Sequence, residues 1–429
     1  MFKKIIVLIP AFLLAAASAP AQNGSVNTFN PYTFYGLGDL ENPGTAINRS
    51  MGGIGVAMNN SFDINVINPA AYGNIPQKSF LFDFGLSGRN DFLKTAAKST
   101  VHNNFDISDI AVSFPLAKGV GFALSVTPVS SVGYRTYIEE RDPDIITDLG
   151  HVTYDYTGEG GLAQYKAGVG VKMSERLSLG ADLVLYHGNI DRTYSSTITP
   201  LLTNESVNNM MVVNNERLTK LLFIGGVQYD LVHNPKRMLT LGATIQPEAT
   251  ISNRISKNIS ISGSTDSIYS KTVRQSLRVP MKITAGFYYQ TAKFGFGADY
   301  STQDWTGAFT IPAIDRMTLT RSNSYSVGMQ YTPNAIEVHN RLNRWTYRAG
   351  FRYADYYLVK NGHAINETGV TVGLGIPLKM GYPSEVSVGL EVGTRGATDY
   401  GLVKDDYFRV SLGFTFFGDD SWFFKRKFF

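Results

Sequence analysis

The chain contains no cysteine in 429 residues, so an exported form must rely on hydrogen-bond closure and packing without disulfides. Histidine is scarce: His102, His151, His187, His233, His339 and His363 are scattered, with no HExxH or other close pair. Zinc sites and catalytic triads lose their usual footing, and no metal or cofactor is expected. There is no GxSxG, which argues against a lipase or acylase. No stretch after the first residues has ~18 consecutive apolar side chains, which excludes a transmembrane helix. Net charge is only +4. Loss of Lys3 and Lys4 with a leader lowers it to about +2, too little to favour nucleic acid as a partner.

What the chain does have starts with a leader. "MFKK", the short apolar run "IIVLIPAFLLAAA" and the small residues "SAPA" read as a secretory signal peptide, residues 1–21, cut after Ala21. Beyond it, 42 Gly, 24 Tyr and 26 Phe suit strands and tight turns better than helical bundles. In "VGFALSVTPVS", Phe122, Leu124 and Val126 share one face, while Gly121, Ala123, Ser125 and Thr127 share the other. "KFGFGADYS", "EVSVGLEVG" and "YFRVSLGFTFF" alternate in the same way. Period two with one apolar face is the strand signature.

Fourteen strands are predicted, near 79–87, 105–116, 119–132, 161–173, 177–192, 218–229, 238–250, 278–290, 292–304, 322–332, 345–357, 368–377, 384–394 and 405–417. Their links alternate long and short, with "AKG", "SER" and "TA" at one end. Long stretches such as "GRNDFLKTAAKSTVHNN" lie at the other. A soluble sandwich has no reason for this asymmetry. A 14-stranded antiparallel transmembrane β-barrel in a bacterial outer membrane does, with periplasmic turns and extracellular loops. The apolar face then meets lipid. Parity places Lys166, Asp182, Lys282, Asp299, Arg348, Arg352, Glu391 and Arg409 in the lumen, and Tyr289, Tyr300, Tyr347 and Tyr353 outside. Arg348 and Arg352 share the inward face of one strand; they are read either as members of structural ion pairs or as a positive patch for an anionic headgroup.

Residues 50–75, "SMGGIGVAMNNSFDINVINPAAYGNI", are tight and irregular. A phosphate loop is excluded, because Gly52, Gly53 and Gly55 form neither GxGxxG nor GK[ST] and no βαβ unit follows. Together with "GLGDL", the segment resembles the N-terminal hatch of the FadL-type family. Those are outer-membrane transporters of long-chain fatty acids and other hydrophobic compounds. Gly53, Gly55, Ala57, Asp63, Asn68, Pro69 and Ala70 match the family pattern of a Gly-rich run, a later Asp, and Asn-Pro-Ala before the first strand. "ENPGTAIN" departs from it by lengthening the hatch, while the C-terminal third and the tail "WFFKRKFF" look like Bacteroidetes members.

The resemblance implies a hatch over 22–78, a barrel over 79–417 and a periplasmic tail over 418–429, whose Phe429 serves insertion by the barrel-assembly machinery. It further implies passive uptake of hydrophobic small molecules or lipids, in contact with outer-membrane lipids and lipopolysaccharide. The alternative it carries is an accessory or shuttle role toward secreted proteins; the hatch itself is either part of the transport route or only a structural plug. In the family a kink in the third strand forms a lateral opening, and Pro128, followed by Ser130 and Ser131, is the matching candidate. Proline donates nothing to a strand ladder, so Pro128 marks either a kink on the lipid face or the start of the outer loop, the membrane part of the strand ending near Thr127.

Overall fold

The computed structural model describes residues 30–419 apart from 43, 97, 202–208, 262–267, 312–315 and 379–382. The expected signal peptide, and the tail from 420 to Phe429, lie outside the described residues.

Among the described residues, fourteen antiparallel strands form one sheet closed on itself. They are β1 (Ser79–Lys94), β2 (Ser99–Ala117), β3 (Val120–Glu139), β4 (His151–Lys172), β5 (Leu177–Thr199) and β6 (Met210–Asn234). β7 runs through Arg237–Gln246 and Ala249–Ile261, and β8 through Tyr269–Val279 and Lys282–Thr291. β9 (Phe294–Asp304), β10 (Arg321–Tyr331, preceded by Met317–Leu319), β11 (Thr346–Lys360), β12 (His363–Pro377), β13 (Glu385–Arg395) and β14 (Lys404–Asp419) complete the wall. β14 closes on β1 from Lys404–Lys94 to Asp419–Ser79. The breaks in β7 and β8 lie side by side, at Pro247 and Pro280, where each strand lacks a ladder donor.

All fourteen expected strands are present, and many are longer than the alternation suggests. Much of the sequence read as outer loops continues the ladder: β1 reaches Lys94, β5 reaches Thr199, and β7 and β8 remain paired out to Ile259–Tyr269. Above the membrane neither face is required to be apolar. The period-two signal fades there while backbone pairing persists. The acidic stretch near 140–148 is not simply loop either: it holds the helix Pro143–Leu149, capped by the Asp142 side chain.

The outward face is apolar where it crosses the bilayer. Leu221, Phe223, Phe351, Val370 and Val372 are exposed there. Tyr300, Tyr325 and Tyr353 stand opposite one another on β9, β10 and β11, with ring centroids 5.0 and 6.3 Å apart, as an aromatic girdle requires. No helix among the described residues is long and apolar enough to cross a membrane. A closed sheet with this belt is an outer-membrane β-barrel.

Candidate functional site: a filled lumen and a gap in its wall

A fourteen-stranded barrel encloses more volume than its own side chains fill. Residues 30–78 occupy that space, and most of them are buried. Asn68 shows why the Asn-Pro-Ala step is needed. Its side chain accepts from the Ala70 N–H at 3.0 Å and so caps the 3-10 turn Pro69–Asn74, with Pro69 at the turn's first position. The same amide donates to the Val56 carbonyl at 2.6 Å and to Val227 of β6 at 3.2 Å. The Gly-rich end is held by Asp299 of β9, whose carboxylate accepts from the N–H groups of Gly55 and Val56 at 2.7 and 2.9 Å. Gly52 donates to Thr371 Oγ1 on β12 at 2.9 Å. Asp63 accepts from Asn60 at 2.5 Å, and burial beside the Glu385 carboxylate pushes it up to about 6.

The wall is shaped to receive this backbone. Gly121, Gly170, Gly180 and Gly226 stand opposite one another across β3 to β6. A methyl group on any of them would run into Asn68, Pro69 or Tyr72. On the far side Gly328 and Gly350, paired across β10 and β11, meet Met51 and Gly52. Parity assigned small residues to the lumen; only cross-strand register shows that they line up into a seat.

Nearer the N-terminus the hatch is held by charge. Asp39 pairs with Arg395 at 2.6 Å, and Arg395 reaches Glu367 at 2.9 Å. Glu41 lies 3.6 Å from Arg409, which in turn faces Glu391 at 4.0 Å. Burial works to raise Glu41, but the guanidiniums of Arg409 and Arg49 outweigh it and hold the carboxyl below its ordinary value. Arg352 belongs to the same network, bonded to Glu367 at 2.7 Å, Glu391 at 2.9 Å and the Tyr407 hydroxyl at 3.0 Å. Arg348 pairs with Glu385 at 2.7 Å. Both arginines face inward as expected, and the ion-pair reading accounts for them. Neither presents a free positive patch, because neighbouring strands supply acids at the same level.

The third strand carries the second feature. β3 pairs with β2 only as far as Val126, opposite Ile110; it then continues to Glu139 bound to β4 alone on that sheet. The alternative that Pro128 starts the outer loop is therefore overturned. Two bulges sit at the parting. Val129 is skipped between Pro128 and Ser130 in the β3–β4 ladder, and Ser108 is skipped in the β1–β2 ladder. Bulges bend a strand and interrupt its pairing. The parting lies about 20–25 Å along the strand from the Lys118–Gly119 turn, in the outer part of the bilayer.

The exposed edge of β3 is taken by the hatch. Asp39 and Leu40 pair with Ser131 and Ser130, and the Glu41 N–H donates to Val129 at 2.9 Å. Farther out, Asn30 donates to the Gly133 carbonyl at 2.8 Å. A two-residue hatch strand, Asp39–Leu40, extended by the Glu41 bond, thus stands where β2 would be. The only trace of it in the sequence is "GDLE", too short for periodicity to reveal. Pro128 keeps its ladder place opposite Ala163 and, at the gap, borders an internal cavity together with the bulged Val129; the bulge inverts parity only beyond it, from Ser130 opposite Leu162.

Two cavities flank this hatch strand and share Leu40, Glu41, Ile67 and Lys282 in their linings. One, of about 100 Å³, runs from Pro128 and Val129 to Trp305; the other, of about 140 Å³, runs toward Arg352 and Tyr357. Above them Trp305, Tyr356 and Tyr357 pack with Tyr32 and Leu37, and Tyr357 donates to the Gly38 carbonyl at 2.6 Å. This aromatic cap closes the outer mouth.

The fold and lumen define a plugged outer-membrane barrel. The BamG family model matches residues 1–429, and the chain belongs to that family. Among solved structures it is similar to the Ralstonia pickettii toluene transporter TbuX (TM-score 0.60, 13% identity, 87% of this chain and 98% of that one). The P. putida toluene transporter TodX gives a TM-score of 0.55 at 14% identity, covering 88% of this chain and 99% of its own. A Pseudomonas aeruginosa FadL homologue gives 0.54 at 12%, covering 88% and 98%. At such identities these likenesses establish a shared FadL-type fold. No curated protein matches the sequence.

Proposed function

We propose that this protein is an outer-membrane channel for passive uptake of small hydrophobic compounds, releasing them sideways through the parting of β2 and β3. The carrying observation is that parting, bridged from inside by the backbone of residues 39–41, with Asn30 and Thr33 bonded to Gly133 farther out, and bordered by a cavity. Withdrawal of residues 39–41, with release of Asn30 and Thr33 from Gly133, opens the wall toward lipid without unzipping any barrel ladder. The structural neighbours include transporters of toluene, and a cavity of about 150 Å³ holds one benzene ring, close to the size of the larger space here. A long-chain amphiphile requires the two cavities to merge. Lys282, which borders both and is joined to no carboxylate among the described residues, is then the group to meet its head.

The absence of native cysteine makes the test simple. Leu40 and Ser130 are directly opposed, at the Cα separation a disulfide spans. In the L40C/S130C variant, oxidation is expected to stop uptake of labelled toluene or fatty acid, and reduction to restore it. Full uptake through the oxidised barrel would rule out lateral release.

The family match supports a second reading, that the protein serves the barrel-assembly machinery the BamG name points to. Under that reading the oxidised lock is neutral for uptake, and cross-linking in cells captures assembly components instead of releasing a solute defect.

A further inference from the structure

Strands β6 to β8 rise well past the apolar belt, and their outer faces carry an arrangement that transport does not use. On β6, Leu221 and Phe223 are 51% and 61% exposed and face lipid. Arg217 lies on the same face, four residues nearer the extracellular end. Cross-strand register sets Arg217 opposite Arg254, and Arg254 opposite Arg274. Three exposed arginines of neighbouring strands therefore stand side by side at one level. With strands about 4.8 Å apart, they fall within about 10 Å of one another.

Like charges directly opposed on a sheet destabilise it, and the one carboxylate among the described residues on their face of the concavity, Asp191, is bonded to Asn215. No ion pair joins any of the three to a carboxylate among the described residues. The concavity they border, about 740 Å³, also contains Asn215, Ser256, Thr272 and Asp191. Asp191 is the carboxylate at its edge and accepts from Asn215 at 2.7 Å. Glu216 is turned to Arg192 and to Asn253. Four residues beyond Leu221 is about 13 Å along the strand, or about 10 Å of height at the usual tilt, which is the headgroup layer of the outer leaflet.

We propose that the Arg217–Arg254–Arg274 row docks the phosphates of a phosphorylated glycolipid of the outer leaflet, the lipid A part of lipopolysaccharide. The guanidinium forks take phosphate oxygens between adjacent strands. The acyl chains lie below, against Leu221 and Phe223. Arginine is suited to the task because its charge cannot be discharged and its donors are planar.

The test compares wild type with R217Q/R254Q/R274Q, both purified from outer membranes and shown to be folded by heat-modifiable migration. Lipid A retained per barrel is measured by native mass spectrometry, and the melting shift is read on adding lipid A, phosphatidylethanolamine or inorganic phosphate. Wild type is expected to retain lipid A and to be stabilised by it alone. The triple variant is expected to bind it roughly a hundredfold more weakly, at about fivefold per arginine. R254Q alone, which removes the shared central group, covers the case of a triple variant that fails to fold. R135Q, at an exposed arginine paired with Asp155, is expected to behave as wild type. Unchanged lipid A binding in the triple variant or in R254Q, or equal stabilisation of wild type by phosphatidylethanolamine or phosphate, overturns the proposal.

Discussion

From Asp39 to Glu41 the hatch meets β13 and β14 through charge and β3 through a short backbone pairing; from Ser50 to Asn74 it meets the barrel through backbone seated on glycines of β3 to β7 and β10 to β12. The two contacts differ in what they tolerate. A buried ion pair is strong only while both partners remain, and it can be exchanged for water if the segment withdraws. A backbone seated against glycine has no adjustable side chain on either surface, so it keeps one position or none. On the proposed route Ser50–Asn74 is the fixed part of the hatch, and residues 39–41, which bridge the β2–β3 parting, are the releasable part.

The largest effect is expected from adding bulk to the fixed side. In Gly180→Val the new side chain meets the carbonyl carbon and oxygen of Pro69 and the nitrogen of Ala70, all backbone. The cost exceeds the ~1–3 kcal/mol of ordinary overpacking, since no rotamer relieves it. The barrel should still close, but residues 69–74 should lose their seat. Limited proteolysis is expected to cut the hatch in the variant and spare it in wild type; an equally protected hatch contradicts a backbone seat.

A smaller and different loss is expected on the charged side. Arg395→Met leaves Asp39 and Glu367 buried without their shared cation, a change of about 3–5 kcal/mol. The loosening should be confined to the releasable part. Conductance in planar bilayers is expected to rise while residues 69–74 stay protected from protease. Adding Asp39→Asn should recover part of the loss, because one of the stranded charges is then gone. If the single variant also exposes 69–74, the two parts of the hatch are one cooperative unit.

The same division marks what was legible in the sequence. Strand number, faces and the Asn-Pro-Ala step follow from period two and local turn chemistry, which neighbouring residues encode. The inward set from Lys166 to Arg409 is also where parity puts it. What could not be read depends on register between strands. The alignment of Gly121 with Gly170 and Gly180 is one case, and the pairing of Arg352 with Glu367 and Glu391 is another. Barrel shear sets both, and no single segment records it. Pro128 falls between the two classes: its oddity within a strand is visible, but the bulge at Val129, which inverts parity from Ser130 onward, is not.

Adjacent glycines on the fixed side allow the finest test. Gly52 and Gly53 both have left-handed backbone, with φ of 70° and 88°. Their surroundings differ. A methyl on Gly52 would come within 2.7 Å of the Phe351 carbonyl oxygen and 2.9 Å of that of Val327, whereas one on Gly53 meets nothing within 4 Å. Gly53→Ala should therefore cost only the dihedral strain, about 1 kcal/mol. Gly52→Ala adds a clash with two strands and threatens the bond to Thr371, so it should cost distinctly more. Melting of the two variants in the same detergent, with protease protection of the hatch as the second readout, separates the contributions. Gly53→Ala is expected to keep a protected hatch and Gly52→Ala to lose it. Equal effects would mean that backbone conformation, and not the closeness of the wall, is what glycine supplies at this end of the hatch.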